Sequence, residues 1–345
     1  LKILLIGGTG YGGIELIRLL HHHPLAEVEM MYSSSQAGTD IQDIYPHLQT
    51  IVEKPLDTIQ ITDIKNQVDC VFFATPAGVS KSLLPQFLDH GLRCIDLSGD
   101  FRLQSSEKYE AWYKLSAPDE AYVKQAVYGL SEIYPNQIRN ASLIANPGCY
   151  PTATLLGLLP LLEQQIIDPT TIIIDGKSGV SGAGRSTGLG THYSEINENL
   201  KAYKLGVHQH IPEIEQVLTS FANEEVNVTF TTHLVPMTRG IMCTIYANLQ
   251  DYKSTQELID LYKQFYNEHP FVRVRKEGNI PATKEVYGSN FCDIGLYSDP
   301  RTGRVTIVSV IDNLVKGAAG QAVQNLNLMN GWDIRTGLLS IPVYP

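Results

Sequence analysis

Among five cysteines, Cys149 alone stands in a turn, in the run Asn146-Pro147-Gly148-Cys149-Tyr150-Pro151-Thr152. A short apolar run over 143–145 precedes it and a helix-like stretch over 152–163 follows, which puts the thiol near a helix N-terminus. Free N–H groups and the positive end of the helix dipole favour a thiolate at such a place. Position alone equally admits a plain turn cysteine. Cys70, Cys94, Cys243 and Cys292 lie in strand-like apolar runs and read as small buried hydrophobes. The count is odd and no CxxC pair occurs, so reduced thiols are expected, not a disulfide framework.

A thiol nucleophile needs a group that moves protons near neutrality, and Gly206-Val207-His208-Gln209-His210-Ile211-Pro212-Glu213 supplies two imidazoles. A solvated helix entry or half of a zinc site would also suit an HxH pair. His192 or His233 could complete the latter, but no spacing in the sequence supports it. The triplet His21-His22-His23 ends a helix before Pro24 and reads as a solvated, dipole-favoured terminus.

Gly7-Gly8-Thr9-Gly10-Tyr11-Gly12-Gly13 follows a strand and opens a helix. Glycine is required there for a tight turn, for close approach of the backbone to a pyrophosphate, and for helix–strand packing. No Gly-Lys-Ser/Thr follows, which excludes a Walker A loop. The end of the second strand reads Tyr32-Ser33-Ser34-Ser35-Gln36, without the carboxylate an NAD site usually carries, so NADP is preferred. No tyrosine has Lys four residues on, which removes the extended short-chain dehydrogenases and leaves thiol-based hydride transfer.

Two further segments could grip anions. Ser178-Gly179-Val180-Ser181-Gly182-Ala183-Gly184-Arg185 follows an apolar strand, and residues 176–194 hold Lys177 and Arg185 but no carboxylate. Such a loop suits a phosphate or an oxyanion, or is simply a mobile surface loop. In Ser98-Gly99-Asp100-Phe101-Arg102-Leu103, Arg102 reads as a carboxylate or phosphate clamp, or as the partner of Asp100 or Glu107 in a surface salt bridge.

These candidates must be positioned by a chain of 345 residues, a length that suggests about two domains. Strand-like runs at 2–6, 27–32, 70–74, 93–97 and 143–145 alternate with helix-like ones, so the first half reads as a doubly wound parallel sheet. After residue 149, β-rich runs at 171–175, 226–234, 242–249 and 304–311 surround a helix-like 254–269, and an amphipathic helix is expected over 317–330. A formal charge of −10 argues against a nucleic-acid or anionic-membrane surface. No apolar stretch approaches membrane-spanning length, and the strand at residue 2 leaves no signal peptide ahead of it, so a soluble, cytoplasmic protein is expected.

The motifs together resemble the N-acetyl-γ-glutamyl-phosphate reductases of arginine biosynthesis, which are related to aspartate-semialdehyde dehydrogenases. They run over nearly the whole chain: GGTGYGGIEL at 7–16, residues 74–78, DLSGDFRL at 96–103, VYGLSE at 127–132, NPGCYPTA at 146–153, SGVSGAGR at 178–185, HQHIPEI at 208–214 and VIDNLVKGAAGQ at 310–321. The resemblance implies an α/β fold: a Rossmann-type domain over 1–148 and 314–345, closed by a C-terminal helix. A catalytic and dimerisation α+β domain of the glyceraldehyde-3-phosphate dehydrogenase C-terminal type follows over 149–313. It makes Cys149 the nucleophile and His208 the acid/base, with His210 beside the substrate; Arg102, Lys177 and Arg185 are the candidates for gripping the substrate's phosphate or carboxylate. Gly7, Thr9, Gly10, Tyr11, Gly12, Ser33, Ser34, Ala74, Pro76, Ser181, Gly182 and Asn313 would hold NADP(H), and no metal is implied. The implied reaction is reduction of N-acetyl-L-glutamyl 5-phosphate to the semialdehyde through a Cys149 thioester, with release of phosphate. A paralogous reductase of aspartyl or aminoadipyl phosphate is the alternative. The partners are then a small acyl phosphate and further copies of the chain, as a dimer or tetramer. Ser34 replaces the arginine the family usually places there, and Ser131 stands where proline is common and looks neutral.

Overall fold

The computed structural model describes residues 1–33, 36–58, 64 and 67–345. The chain divides into two compact units, Leu1–Pro147 with Ala318–Leu339 and Gly148–Gly317 with Ser340–Pro345. These bounds differ from the expected ones at residues 148, 314–317 and 340–345, all of which group with the second unit. The tail is tied there by Val343, whose N–H donates to the Tyr287 carbonyl at 2.9 Å.

Among the described residues, the first unit holds strands β1 (Lys2–Ile6), β2 (Glu27–Tyr32), β3 (Leu56–Asp57), β4 (Cys70–Phe73), β5 (Arg93–Asp96), β6 (Ala126–Tyr128) and β7 (Leu143–Ala145). They pair in the order β3-β2-β1-β4-β5-β7-β6, every pairing parallel. Residues 3–6 and 70–73 are apolar without alternation and almost fully buried, as strands covered on both faces must be. Chain order reverses at β1, which has β2 on one side and β4 on the other. In open α/β sheets the carboxyl ends of strands at such a reversal bind ligands. Helices α1 (Tyr11–His21), α2 (Ser80–Asp89) and α3 (Ser106–Tyr113) belong to this unit.

The last helix, Gly320–Met329, was expected to be amphipathic but is buried throughout. Its polar side chains account for the difference, because they bond inside the unit. Asn325 Nδ2 donates to the Gly129 carbonyl (2.8 Å) and to Asn146 Oδ1 (3.0 Å), while Ser131 Oγ donates to Asn325 Oδ1 at 2.6 Å. Ser131 is therefore a buried hydrogen-bonding residue. His23, expected in solvent, is also buried: its Nδ1 accepts the Leu25 N–H and its Nε2 lies 2.9 Å from Asn327 Oδ1 on the last helix. His21 and His22 remain exposed.

The second unit is built on strands β8 (Ile173–Gly179), β9 (Lys201–Tyr203), β10 (Thr229–Val235), β11 (Ile241–Asn248), β12 (Val272–Val274), β13 (Cys292–Asp299) and β14 (Arg304–Ile311). Their order is β12-β13-β14-β11-β8-β10-β9, with antiparallel pairs except β8/β10 and β12/β13. Helix α4 (Cys149–Glu163) is apolar around its whole circumference and packs on β11 and β14. Pro160 lacks an N–H, which leaves the Leu156 carbonyl without its helical donor; Tyr266 Oη donates to it at 2.6 Å.

Candidate active site

Cys149 is the first residue of α4, three positions before the expected helix start, with Gly148 as its N-cap in extended conformation. It is partly exposed, whereas the other four cysteines are buried. Burial pushes the thiols of Cys70 and Cys243 up to about 12, so neither is a nucleophile at neutral pH. The backbone around Cys149 has no room for side chains. A Cβ on Gly148 would lie 2.4 Å from His210 Nε2, and one on Gly317 would lie 2.8 Å from Cys149 Cβ. Gly317 belongs to a single π-turn, Val315–Ala319, a distortion that recurs at functional sites.

Helix α5 (His210–Ala222) begins at His210, whose ring therefore borders the nucleophile's N-cap. His208 lies behind it, 4% exposed, among the rings of Tyr150, Tyr203, Phe230 and His210. Its Nδ1 accepts the His210 amide N–H at 3.1 Å, so the proton of the neutral ring sits on Nε2. Burial, aided by Lys204, holds its pKa down at about 4, and the ring is neutral at physiological pH. One turn into α5, Glu213 is fully buried, and its Oε1 accepts the Gly148 N–H at 2.8 Å.

The glycine turn after β1 is shaped for a pyrophosphate-bearing dinucleotide. Gly7 has φ +86°, and a Cβ there would sit 2.5 Å from the Ala74 carbonyl oxygen after β4. A Cβ on Gly13 would sit 2.4 Å from the Gly7 carbonyl, whereas nothing lies within 4 Å of one on Gly12. The turn is thus packed below and open above. Beside it, Thr75 Oγ1 is buried without a hydrogen-bond partner, the kind of group a bound polar ligand satisfies. Thr9 and Tyr11 lie on this turn, with the Thr9 carbonyl accepting Tyr45 Oη at 2.9 Å, and Ala74 and Pro76 follow β4. Ser33 is buried at the end of β2, and Ser34 lies outside the described residues.

Several expected residues are used differently. The strand before the glycine-rich segment runs on to Gly179, so Lys177 is a strand residue and not a loop residue. Alternation then settles its direction: a Cβ on Gly176 would meet the Tyr150 ring, so Lys177 points to the opposite face of the sheet. There it pairs with Asp175 at 2.6 Å, and the structure does not bring it to Cys149. Arg102 is buried and not at the surface; its Nε donates to the Asn146 carbonyl (2.7 Å) and one Nη to the Leu97 carbonyl (2.8 Å). Asn313 is held at both ends, with Oδ1 accepting the Gly240 N–H and Nδ2 donating to Ser181 Oγ. Gly182 and Arg185 are exposed on the glycine-rich segment.

Comparison with known proteins carries this geometry to a family. Family models match at residues 2–141 (semialdehyde dehydrogenase, NAD binding domain) and 149–313 (semialdehyde dehydrogenase, dimerisation domain). The N-acetyl-gamma-glutamyl-phosphate reductase of Geobacillus sp. (strain WCH70) is 55% identical over 345 residues, covering 100% of both chains. That of Bacillus subtilis (strain 168) is 54% identical, again over 100% of both. The chain belongs to the N-acetyl-gamma-glutamyl-phosphate reductase family. Its fold is also that of aspartate semialdehyde dehydrogenase: the Candida albicans structure with NADP superimposes at a TM-score of 0.72 and 17% identity, covering 96% of this chain and 99% of that one.

Within this reductase fold, sequence reasoning misses the parts played by Glu213 and Gly317 beside Cys149 in the second unit and by Thr75 beside the glycine turn in the first. Each lies inside a motif that carries the resemblance, Glu213 in HQHIPEI, Thr75 in residues 74–78 and Gly317 in VIDNLVKGAAGQ, but none has a role of its own in the sequence reading. Only for Glu213 was there a signal, its place three residues after His210, which puts both on one face of a helix.

Proposed function

We propose that this chain reduces the acyl phosphate of N-acetyl-glutamyl phosphate to the semialdehyde with release of phosphate. The observation that carries the reading is full-length identity of 54–56% to reductases of that name, joined to a partly exposed thiol at a helix N-terminus. Cys149 attacks the acyl carbon as a thiolate, and the acyl–phosphate bond breaks to leave a thioester. Residues 7–13 would hold a nicotinamide dinucleotide, which when bound would supply the hydride that a thioester carbonyl carbon accepts. Helix N-terminal amides beside Cys149 favour the negative charge that develops on the carbonyl oxygen. A proton then moves as the thiohemiacetal collapses to aldehyde and thiolate.

We assign that proton to His210, the imidazole bordering Gly148, with His208 behind it as a neutral ring. This exchanges the roles the family resemblance implied. NADP(H) is the proposed dinucleotide, supported by the absence of a carboxylate at 33–36 and by the NADP named for the Candida albicans structure. Arg185 is the proposed phosphate grip. Self-association through the second unit is supported by its match to a dimerisation domain. Among the described residues no helix is long and apolar enough to cross a membrane, and a cytoplasmic location is part of the proposal.

The test is the reverse reaction, N-acetylglutamate semialdehyde with phosphate and NADP or NAD, against aspartate semialdehyde as competitor. Turnover of the N-acetylated aldehyde with NADP, abolished by Cys149→Ala, is the expected result. Preferential turnover of aspartate semialdehyde overturns the substrate, and activity in Cys149→Ala overturns the mechanism. His210→Asn is expected to lower kcat by roughly 10²–10⁴ and His208→Asn by less; the opposite order restores His208 as the acid/base.

A further inference from the structure

The segment DLSGDFR after β5 brings two carboxylates into the interior of the first unit, with Asp96 and Asp100 both fully buried. Asp100 is surrounded by donors. Gly78 N–H reaches Oδ1 at 2.7 Å and Oδ2 at 2.9 Å, Lys81 N–H reaches Oδ2 at 3.0 Å, and Tyr109 Oη reaches Oδ1 at 2.7 Å. Those amides flank the start of α2, so Asp100 ties the loop after β4 to the loop after β5.

Two serines link the carboxylates. Ser98 Oγ lies 2.8 Å from Asp96 Oδ2 and 2.7 Å from Ser80 Oγ, and Ser80 Oγ lies 2.9 Å from Asp100 Oδ2. These three short oxygen–oxygen contacts need three protons, and two hydroxyls supply two. A proton on Asp96 completes the set: Asp96 O–H donates to Ser98, Ser98 to Ser80, and Ser80 to Asp100. Ser98 Oγ also accepts the Asp100 N–H at 3.1 Å, so with one donation and two acceptances its capacity is filled. Removing that proton leaves one contact as two facing lone pairs.

We propose that Asp96 holds a proton that completes the hydrogen-bond chain through Ser98 and Ser80 to Asp100, and that the loop over residues 74–79 is locked only while it is held. Burial, and then the neighbouring Asp100, raise the Asp96 carboxyl to about 7, against the hydrogen bonds of Ser98 and the charge of Arg102. The other groups facing Asp96 are Cys94 on β5, Tyr109 on α3 and Arg102 and Asp100 on its own loop; β4 and β7 offer only Phe73 and Ala145 beside it. The ammonium of Lys81 is turned to Ser116, 2.9 Å from its Oγ. On the reading above, residues 74–76 contact the dinucleotide, and the lock would then make cofactor binding weaken as pH rises through neutrality.

Difference infrared spectroscopy of the full chain without cofactor tests the proton itself. A protonated-carboxyl band present below neutrality, lost above it, and missing from Asp96→Asn is expected; a band that survives in Asp96→Asn, or none at all, overturns the proposal. Amide exchange on the wild-type chain supplies a readout that needs no variant. Protection of the Gly78 and Lys81 amides, corrected for intrinsic rates, is expected to fall about ten-fold across neutrality, and pH-independent protection overturns the lock. Both measurements omit the dinucleotide, so failure of the proposed cofactor site would show separately, as an absence of NADPH binding at any pH.

Discussion

Glu213 holds Gly148: its carboxylate accepts the N-cap amide of the nucleophile helix at 2.8 Å, from the same helix face that carries His210. One side chain thereby ties the backbone of the thiol to the backbone of the imidazole. Replacing Glu213 by Ala leaves a buried amide without its acceptor, at a cost of about 1–3 kcal/mol. Glu213→Gln keeps an acceptor oxygen and is expected to retain most of the stability. Thermal unfolding and kcat measured on both variants check this; equal loss in the two would mean that charge, and not the bond to Gly148, is what matters.

The tight contacts at two glycines predict losses of activity out of proportion to size. Gly148→Ala directs a methyl to within 2.4 Å of His210 Nε2, and Gly317→Ala to within 2.8 Å of Cys149 Cβ. Each is expected to lower kcat by roughly 10²-fold or more through displacement of a reacting group. Circular dichroism should show both variants folded. Near wild-type turnover in either would mean that the surroundings yield more easily than the packing suggests.

The buried imidazole of His208 predicts an acid limb in stability. Its pKa is about 4 in the folded chain against 6.5 when free, so the unfolded state binds more protons between those values. Stability is then fully present above about 6.5 and declines as pH falls toward about 4, by about 3 kcal/mol from this group. Denaturant unfolding across that range should show the decline in the wild type and a shallower one in His208→Asn. Identical slopes would exclude His208 as the source.

Much of the fold was legible because its signals are local. The glycine turn, the continuous apolar strands and the strand at 304–311 each follow from a short window of residues. The region between β8 and the glycine-rich segment was not. A lysine and glycines after an apolar run suggest that a strand has ended, but pairing with β10 and β11 carries β8 through to Gly179. That extension moved Lys177 to the face away from α4. The last helix misled in another way: its polar residues imply a solvated face, and only their partners at Gly129, Ser131 and Asn146, far away in sequence, allow them to be buried.

By itself the sequence determined the chemistry available to this protein. It has one thiol at a helix start, two imidazoles on an HxH, and a glycine turn that a pyrophosphate can approach. It also determined the two-part α/β architecture, because strand and helix periods and glycine positions are properties of short segments. The tertiary structure decided which of those groups meet. It set His210 against Gly148 and His208 behind it, spent Arg102 on backbone carbonyls, and turned Lys177 away. Those outcomes depend on strand register, burial and hydrogen-bond partners distant in the chain, none of which a residue's own neighbours in sequence can dictate.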